Sequence, residues 1–465
     1  MKSMQCHVIV VGAGIAGFSA AVRAAENGAA VVLIDKSGGP LGDGNTLMTS
    51  GSFRAGGRSP RSHPSELYEF AMSEGVAYPD LATAWANSCG RAVEWLSNCG
   101  VIVSETTPGR IWLEPETEIC LAPVYKKDVG ARVLAKLKRR FEQFGGRYLN
   151  DLAAVNLICK NGRVSGVIAV DRAETLECHS ASIILSTGGF SANQEMLRQH
   201  IGQRADHCKL RGSKNCTGDG LRMALEVGAK AVNLQYFYGH LLSRKALIDD
   251  RFWPYPRLDA FVDEGILIDR NGNRFVDEGR GDVAVANELA RSNEVTAAAL
   301  IFDSTTWTAA RDDAASNSAK TPPPNPWLLD NEGDLFCHDR IEGLGEALGV
   351  NGLNLRKTLE QYNRAVQSSG TSVLPVARTG KPKPLCAPFY GLKVVPGITF
   401  TMGGVLVNGR CEVLNAKEKP IQGLYAAGDV IGGLMGGYRG GYTGGLTQAV
   451  VTGILAGENA VRSDS

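Results

Sequence analysis

Three glycines near the start of the chain have the spacing of a dinucleotide-binding turn. Gly12, Gly14 and Gly17 follow the pattern G-x-G-x-x-G. The first glycine of such a turn permits the tight bend, the second lets the backbone approach a pyrophosphate, and the third lets a helix pack closely on a strand. The spacing therefore predicts a site for the diphosphate of a dinucleotide.

The elements needed to position these glycines flank them in the expected order. Residues 8–11 are an apolar, β-branched run that predicts a buried parallel strand. Small and apolar residues then predict a helix up to Gly28, and a second strand ends at Asp35, 18 residues after Gly17. An acid at this place can accept hydrogen bonds from ribose hydroxyls. The order predicts a Rossmann-like unit at the start of the fold.

A second pair of glycine and acid lies near the other end of the chain. The apolar stretch 423–427 precedes Gly428 and Asp429, a layout that suits a flavin protein in which a late strand brings an acid to the ribityl chain. A second G-x-G-x-x-G is absent in mid-chain, where Gly188 and Gly189 lack the spacing, so we expect no bound NAD(P). We predict one FAD, held by the first and last parts of one domain.

Composition excludes several classes of protein. The 465 residues predict two or three domains, and the balance of 49 basic and 48 acidic residues argues against nucleic acid as a partner. No apolar run reaches 18 residues, and the first strand begins within ten residues of Met1, so we expect no membrane span, no signal peptide and a cytoplasmic location. The eleven scattered cysteines, with no C-x-x-C, predict reduced thiols and no metal or iron–sulfur site.

Changes in composition divide the chain into two domains. Residues 1–231 and 386–465 are assigned to the FAD-binding domain, and residues 232–385, which begin with clustered aromatic side chains, to a capping domain over the substrate. Tyr236 and Tyr238 of this cluster are candidates to line a pocket. The predicted fold class is α/β, a Rossmann-like FAD-binding domain with an inserted α+β capping domain.

Several segments together resemble the flavoprotein family of fumarate reductase and succinate dehydrogenase over nearly the whole chain. They are VIVVGAGIAG, GDGNTLMTSG, LSTGGF, TGDGLRMA, GILIDRNGNRFVDE, LEQYNRAV, PGITFTMGGVLV and IQGLYAAGDVIGG. The resemblance implies a substrate held between cap and flavin, with a hydride moving at one carbon and a proton at its neighbour. TSGSFR and YPRLDAFVDEGILID are similar to the tricarballylate dehydrogenase branch, which implies a small carboxylic acid as substrate.

The motifs and the resemblance imply a set of residues around the FAD. The loop 37–57 lacks the histidine that holds flavin covalently in succinate dehydrogenase, so we expect noncovalent FAD. The expected FAD-binding residues are Gly12, Ala13, Gly14, Ala16, Gly17, Asp35, Lys36, Gly44, Asn45, Thr46, Ser50, Gly51, Ala154, Thr187, Gly188, Gly189, Asp219, Gly428, Asp429, Gly445 and Leu446.

Two residues of the family pattern are missing. Fumarate reductases have a histidine just before T-M-G-G, where this chain has Thr399 and Phe400. They also have an acid-catalyst arginine before the G-I-L strand, where only Arg257 lies near, and we expect it to be out of register. These departures leave the proton-transfer residue open, together with the alternative of a flavin-binding subunit without turnover.

Four residues are candidates for substrate binding and proton transfer. Arg439 lies in the turn GGYRGG, and its planar guanidinium matches a carboxylate; Arg54 follows the flavin loop, where a second carboxylate could meet it. His240 lies near a substrate-contacting histidine of the family and could orient substrate or pass a proton, and Tyr438 could do the latter. The structural alternatives are a surface arginine, an ion pair, a core histidine and a packing tyrosine.

The segment YRGGYTGG leaves a second enzyme class open. It lies where ketosteroid dehydrogenases have Tyr-Pro-Gly and fumarate reductases have Asn-Arg, so a ketosteroid dehydrogenase-like enzyme acting on a cyclic ketone is the alternative. The expected partners are a small-molecule substrate and, for electrons, a separate electron-transfer protein or a quinone-linked membrane partner. Sequence does not decide the direction of reaction, because that depends on the flavin potential and the electron carrier.

Overall fold

The computed structural model describes residues 2–107, 109–115, 128–171, 174–316, 322–368 and 370–462. The strands are β1 (Lys2–Val11), β2 (Val31–Ile34), β3 (Ser52–Phe53), β4 (Val103–Thr107), β5 (Arg110–Leu113), β6 (Arg147–Leu149), β7 (Ala153–Lys160), β8 (Arg163–Val170), β9 (Thr175–Leu185), β10 (Lys209–Leu210), β11 (Ala231–Val232), β12 (Phe237–Ser243), β13 (Ile266–Ile268), β14 (Ala299–Asp303), β15 (Leu335–His338), β16 (Phe389–Thr401), β17 (Gly404–Leu406), β18 (Glu412–Leu414), β19 (Pro420–Ala426) and β20 (Ile431–Gly432).

The α-helices are α1 (Ile15–Glu26), α2 (Pro64–Met72), α3 (Pro79–Asn98), α4 (Asp128–Gln143), α5 (Gln194–His200), α6 (Asp219–Glu226), α7 (Asp259–Glu264), α8 (Asp282–Arg291), α9 (Ser304–Ser316), α10 (Pro324–Asp330), α11 (Ile341–Leu348), α12 (Gly352–Gln367) and α13 (Gly445–Arg462). Within the described ranges, no helix combines the length and the apolar character that a membrane crossing requires.

The first sheet is built on the predicted Rossmann-like start. Its strand order is β18-β19-β9-β1-β2-β6, in which β1 pairs in parallel with β2 and β9, and β19 continues the parallel run beside β9. The hairpin β7–β8 extends this sheet through β9, and its turn is Asn161 and Gly162, an Asn-Gly pair typical of tight hairpins, both with positive φ. The FAD-binding fold class predicted from sequence is confirmed. Strands from both chain ends therefore meet in one sheet, as expected.

Small residues bring α1 and α13 against each other over this sheet. A Cβ on Gly453 would lie 2.5 Å from the carbonyl oxygen of Ala16, and one on Gly457 would lie 2.4 Å from that of Ala20. Only glycine permits such close backbone approach. The last helix of the chain is thus fixed to the first, which holds the two sequence-distant halves of the cofactor site together.

The second sheet carries the other wall of the site. Its long strand β16 pairs with β10, β12, β14 and β15, and β13 pairs with β14. Residues 209–210 and 389–401 of this sheet lie outside the segment 232–385, so the sheet takes strands from both predicted domains. The domain boundaries themselves stay a prediction.

A buried ion pair braces the second sheet. The spacing of Arg274 and Glu278 predicts a structural pair, and the structure confirms it with an Nη2–Oε2 distance of 2.6 Å between side chains that are 5% and 0% exposed. Glu278 also accepts from the backbone N–H of Leu267 on β13 and faces the guanidinium of Arg378. These contacts satisfy a carboxylate whose burial would otherwise be costly.

Candidate active site

A cavity of about 360 Å³ lies where four parallel strands of the first sheet end. Its wall includes the turns that follow β1, β2, β9 and β19, which is where open α/β sheets bind ligands. The opposite wall comes from β5, β12 and β16 and from residues next to them. The cavity therefore has one end made by the predicted nucleotide-binding motifs and another made by side chains on and near β5, β12 and β16.

Almost all the predicted FAD-binding residues line this cavity. The exceptions are Gly17, Gly51 and Gly189. A Cβ on Gly17 would lie 1.8 Å from the carbonyl oxygen of Gly12, one on Gly51 would lie 2.5 Å from that of Leu113, and one on Gly189 would meet Thr401 Oγ1 at 2.0 Å. These three glycines permit close packing of the backbone behind the residues that line the cavity.

The turn after β1 fits the diphosphate of FAD. A Cβ on Gly14 would meet Thr46 Oγ1 at 3.6 Å and nothing nearer, so the glycine borders open space rather than protein. Gly14 is also the N-cap of α1 and has no capping side-chain bond, which leaves the positive helix end for an anion. Gly12 has a φ of +105°, and Asp35 Oδ2 accepts from the N–H of Ala13 at 2.7 Å, which fixes the turn. The motif is therefore pre-shaped for a pyrophosphate.

The predicted ribityl acid lies at the centre of the cavity wall. Asp429 follows Gly428 in a short turn after β19, and the Gly428 N–H donates to Thr452 Oγ1 on α13. Burial raises the pKa of Asp429 to about 7. Near the predicted ribose end, Lys36 donates to Asp219 Oδ2 at 2.7 Å and to Thr217. Asp429 is thus a half-buried acceptor that gains from hydrogen-bond donors such as ribityl hydroxyls.

Four arginines line the other end of the cavity. They are Arg54, Arg110, Arg211 and Arg257. Burial lowers the pKa of Arg110, and the like charges of Arg54 and Arg257 lower it further, so these three guanidinium groups lie close enough to repel one another. Among the residues that the structure describes, only Arg257 of the four has a carboxylate within ion-pair distance, Asp259 at 3.3 Å. This end is strongly cationic.

Arg211 is held from both sides. Its side chain is nearly fully buried, its Nη1 donates to Thr399 Oγ1 at 2.7 Å, and its Nη2 donates to the carbonyl oxygen of Pro254 at 3.2 Å. No partner reaches its Nε in the described part of the protein. Thr399 lies in the stretch where the family histidine is missing, and here it accepts from a buried arginine.

An aromatic stack separates the arginines from the core. The ring of Tyr238 stacks on Tyr442, with 4.2 Å between centroids and 20° between planes, and on Phe400 at 5.2 Å. The guanidinium carbon of Arg54 lies 5.0 Å from the Tyr442 centroid, as in a cation–π contact. The stack gives the cavity a flat apolar wall beside its charged groups.

His240 links two acids to a tyrosine. Its Nδ1 lies 2.6 Å from Asp282 Oδ2 and 3.0 Å from Asp259 Oδ1, and its Nε2 lies 3.0 Å from the hydroxyl of Tyr238. Asp259 and Asp282 are the first residues of α7 and α8, where helix dipoles favour negative charge. Burial alone would raise the pKa of Asp259, but His240 and Arg257 hold it well below its ordinary value.

The same three residues are the candidate cation ligands of the described chain. Ligand atoms of His240, Asp259 and Asp282 lie within 4.8 Å of one another. Both carboxylates, however, contact a single imidazole nitrogen at hydrogen-bond distance. We interpret the cluster as a hydrogen-bond chain, because a proton on that nitrogen satisfies both acids.

The structure does not bring Arg439 and Tyr438 into the cavity. Both side chains are exposed, and Tyr438 lies under the guanidinium of Arg280, 3.6 Å from its ring centroid. The Arg439 N–H donates to Glu74 Oε2 on the protein surface. Gly436 and Gly437 before this pair and Gly440 after it have positive φ, which lets the turn direct the pair outward. The surface alternative for Arg439 therefore describes its place in this structure, and Arg54 and His240 are the candidates that line the cavity.

Sequence reasoning missed several cavity residues for identifiable reasons. Arg110 lies on the strand β5, where half-buried Arg110 and Trp112 alternate with buried Ile111 and Leu113. A period-2 pattern of only four residues is too short to identify a strand from sequence. Arg257 was expected to be out of register, yet it lines the cavity. Arg211 and Tyr442 have no local signal, because folding alone brings β10 and the last loop to this place. Of the two aromatic candidates, Tyr238 lines the cavity and Tyr236 does not.

Comparisons with known proteins agree with this geometry. The family model described as FAD binding domain matches residues 7–445. A Shewanella frigidimarina protein called a probable fumarate reductase is 29% identical over 99% of this chain and 75% of its own length. The open conformation of a flavocytochrome c3 fumarate reductase matches 99% of this chain and 79% of its own with a TM-score of 0.67 and 25% identity.

A ketosteroid enzyme shares the fold as well. The 3-ketosteroid-Δ4-(5α)-dehydrogenase of Rhodococcus jostii matches 99% of this chain and 98% of its own with a TM-score of 0.72. At 21% identity, this likeness concerns the fold alone. The comparisons therefore support a shared flavoprotein architecture that serves more than one substrate class.

Proposed function

The chain belongs to the FAD-binding-domain family of oxidoreductases, and we propose that it oxidises a CH–CH unit, or reduces the matching C=C bond, of a small acid with several carboxylates. FAD is its cofactor, held noncovalently by the glycine turn, Asp35 and Asp429. The finer proposal, made from the sequence segments, is a tricarballylate dehydrogenase-like enzyme. The name of the Shewanella relative supports a reaction at a carbon–carbon bond of a carboxylic acid.

One observation carries the substrate class. Arg54, Arg110 and Arg211 line one end of the FAD cavity, and within the described residues none of them has a carboxylate partner. Uncompensated charges of one sign at a partly buried site are costly, and several acidic groups of a ligand would relieve that cost. A guanidinium also binds carboxylate as a planar fork. Three such groups suit a substrate with more than one carboxylate.

The residues of the chain divide the work of the reaction. When bound, FAD supplies the acceptor or donor of a hydride. The arginines hold the carboxylates and so fix which substrate carbon faces the cofactor, and the Tyr238–Tyr442–Phe400 stack excludes water from one side. Positive charge around the site also stabilises the negative charge that develops next to a carboxylate when a neighbouring C–H proton leaves.

Electrons must enter or leave through a second molecule. The cysteine spacing of the chain provides no iron–sulfur or c-type haem site. We therefore propose a separate electron-transfer protein or a quinone-linked partner as the redox partner. The direction of the reaction depends on that partner.

A cyclic ketone is the second candidate substrate. The flat aromatic wall, with Tyr442 in the segment YRGGYTGG, favours it. The arginines oppose it, since a neutral ketone leaves their charges without partners. The two candidates therefore predict opposite responses to ligand charge.

A substrate panel tests the proposal. The FAD-loaded protein is mixed without oxygen with saturated tri-, di- and monocarboxylic acids and with ketosteroids, and the dithionite-reduced protein with the unsaturated counterparts. We expect the absorbance of oxidised flavin to disappear, or to return, with polycarboxylic acids only. A response to ketosteroids alone would establish the second candidate, and no response to either class would favour a subunit without turnover.

A further inference from the structure

We propose that the hydroxyl of Tyr238 is the group that exchanges a proton with the substrate carbon, and that His240, stabilised by Asp259 and Asp282, takes up the proton that this hydroxyl releases and returns it. This inference rests on the proposed function and adds to it the acid–base residue that the family pattern leaves vacant. It assigns a catalytic role to Tyr238 and a relay role to His240.

The geometry of the chain is continuous. Tyr238 and His240 are two residues apart on β12, and their side chains meet with 3.0 Å between Oη and Nε2. The opposite nitrogen of the same ring lies within hydrogen-bond distance of both carboxylates. A tyrosine hydroxyl in contact with a base that is itself oriented by an acid is the arrangement expected of an acid–base catalyst.

Burial argues against a purely structural role for this chain. His240 is 3% exposed, and one hydrogen bond to each ring nitrogen would satisfy it. The structure adds a second carboxylate at Nδ1, which a neutral imidazole does not need. Two acids stabilise the imidazolium that forms when the ring gains a proton.

The arginines only partly oppose the effect of burial on Tyr238, so its hydroxyl keeps a proton unless His240 takes that proton up. Burial raises the pKa of Tyr238, as does Tyr442, but the charges of Arg257, Arg54 and Arg211 act in the opposite direction. Of these, Arg54 and Arg211 are also proposed to hold the substrate, so the hydroxyl lies among the groups that fix the reacting carbon. The hydroxyl of Tyr442, by contrast, accepts a hydrogen bond from the N–H of Gly445, and among the described residues no histidine or carboxylate is bonded to it.

The proton and electron balance closes with FAD as the oxidant. In oxidation, one C–H bond breaks as a hydride, whose electron pair reduces the FAD, and the adjacent C–H bond loses its proton to Tyr238 Oη. The former Oη proton passes to His240 Nε2, and the Nδ1 proton stays shared with Asp259 and Asp282. Reduction reverses each transfer, with the proton delivered from Oη to carbon.

Two variants and a matched control test the relay. Tyr238→Phe keeps the aromatic stack but removes the hydroxyl, and His240→Gln keeps hydrogen-bonding capacity but cannot gain a proton. Tyr236→Phe is the control, since Tyr236 lies outside the cavity beneath Arg291. FAD content, substrate Kd from the flavin absorbance change, KM and kcat are measured for each protein.

The expected pattern separates proton transfer from structure. We expect Tyr238→Phe to lower kcat by about 10²–10⁴-fold and His240→Gln by about 10²-fold, with FAD content and substrate Kd unchanged and the Tyr236 control normal. Wild-type kcat in either variant would overturn the relay, as would an equal loss of Kd and kcat, which indicates a structural role. Loss of wild-type turnover on chelation of divalent metal would also overturn it. Absence of turnover by the wild type on every acid instead refutes the proposed function.

Discussion

The guanidinium of Arg54 lies over the ring of Tyr442, 5.0 Å from its centroid, and the ring of Tyr238 stacks on the same tyrosine at 4.2 Å. A guanidinium held by its face keeps its N–H edge available for a carboxylate. The proposed binding group and the proposed proton-transfer group are therefore positioned by one aromatic side chain. Substrate orientation and acid–base chemistry depend on the same packing.

Replacing an arginine of the cavity should weaken use of the substrate without loss of FAD. We expect Arg54→Gln and Arg110→Gln each to cost about 2–5 kcal/mol in kcat/KM, because a carboxylate then loses its charged partner. Steady-state kinetics at matched FAD content measures this. The matched control is Arg439→Gln on the surface, for which kinetics indistinguishable from the wild type are expected; a large loss there would return Arg439 to the site.

Two glycines of the fingerprint should fail in different ways. A Cβ at Gly14 would enter the space for the pyrophosphate and come no nearer to protein than an ordinary contact of 3.6 Å with Thr46, so Gly14→Val should fold but purify without flavin. A side chain at Gly17 would collide with the carbonyl oxygen of Gly12, so Gly17→Val should destabilise the fold, not only weaken FAD binding. Circular dichroism reports the fold.

Acid precipitation of the wild type should release its noncovalent FAD into the supernatant, and flavin retained in the pellet would contradict the prediction.

Stability of the flavin-free protein should depend on pH through Asp429. Its pKa is raised to about 7 in the folded chain and is about 4 in an unfolded chain. The folded state therefore binds the additional proton, and the contribution of Asp429 to the free energy of unfolding falls as pH rises from about 4 to about 7. In urea denaturation, the free energy of unfolding of Asp429→Asn relative to the wild type should rise from about pH 4 to about pH 7. Above about pH 7 this difference should stay constant. A difference that is constant across the whole range would contradict the assignment.

The buried pair Arg274–Glu278 should matter far more than an exposed pair of the same spacing. Glu278→Gln leaves two buried guanidinium groups without their counterion and should reduce the free energy of unfolding by about 3–5 kcal/mol. Glu226→Gln breaks the exposed pair with Arg222 and should cost at most about 1 kcal/mol. Urea denaturation of both FAD-loaded variants makes the comparison, and equal effects would refute the proposed brace.

The cofactor half of the site was predictable because its residues are close in sequence to their strands. Gly12, Gly14, Asp35 and Asp429 each follow a strand directly, so local pattern and position suffice. The hairpin turn at Asn161 and Gly162 likewise depends on the turn residues themselves.

The substrate half was not predictable from local pattern. Arg110, Arg211 and Arg257 come from three separate regions of the chain, and the pairing of β16 with both β10 and β12 brings the region of Arg211 to the strand of Tyr238 and His240. Arg439 shows the converse case: its residue type suited the chemistry, but the backbone of a glycine-rich turn directs it outward. Side-chain chemistry identifies candidates, whereas long-range packing decides which of them meet.

The most direct test of the account asks whether each arginine recognises one particular carboxylate. The polycarboxylic acid found active in the substrate panel is converted to each of its monomethyl esters, and kcat/KM is measured for acid and esters with the wild type, Arg54→Gln and Arg110→Gln. We predict that the two changes are coupled. An ester that lowers kcat/KM of the wild type at least about tenfold should lower it little in the variant that lacks the matching arginine. Equal costs of esterification in all three proteins would contradict recognition of the substrate carboxylates by these arginines.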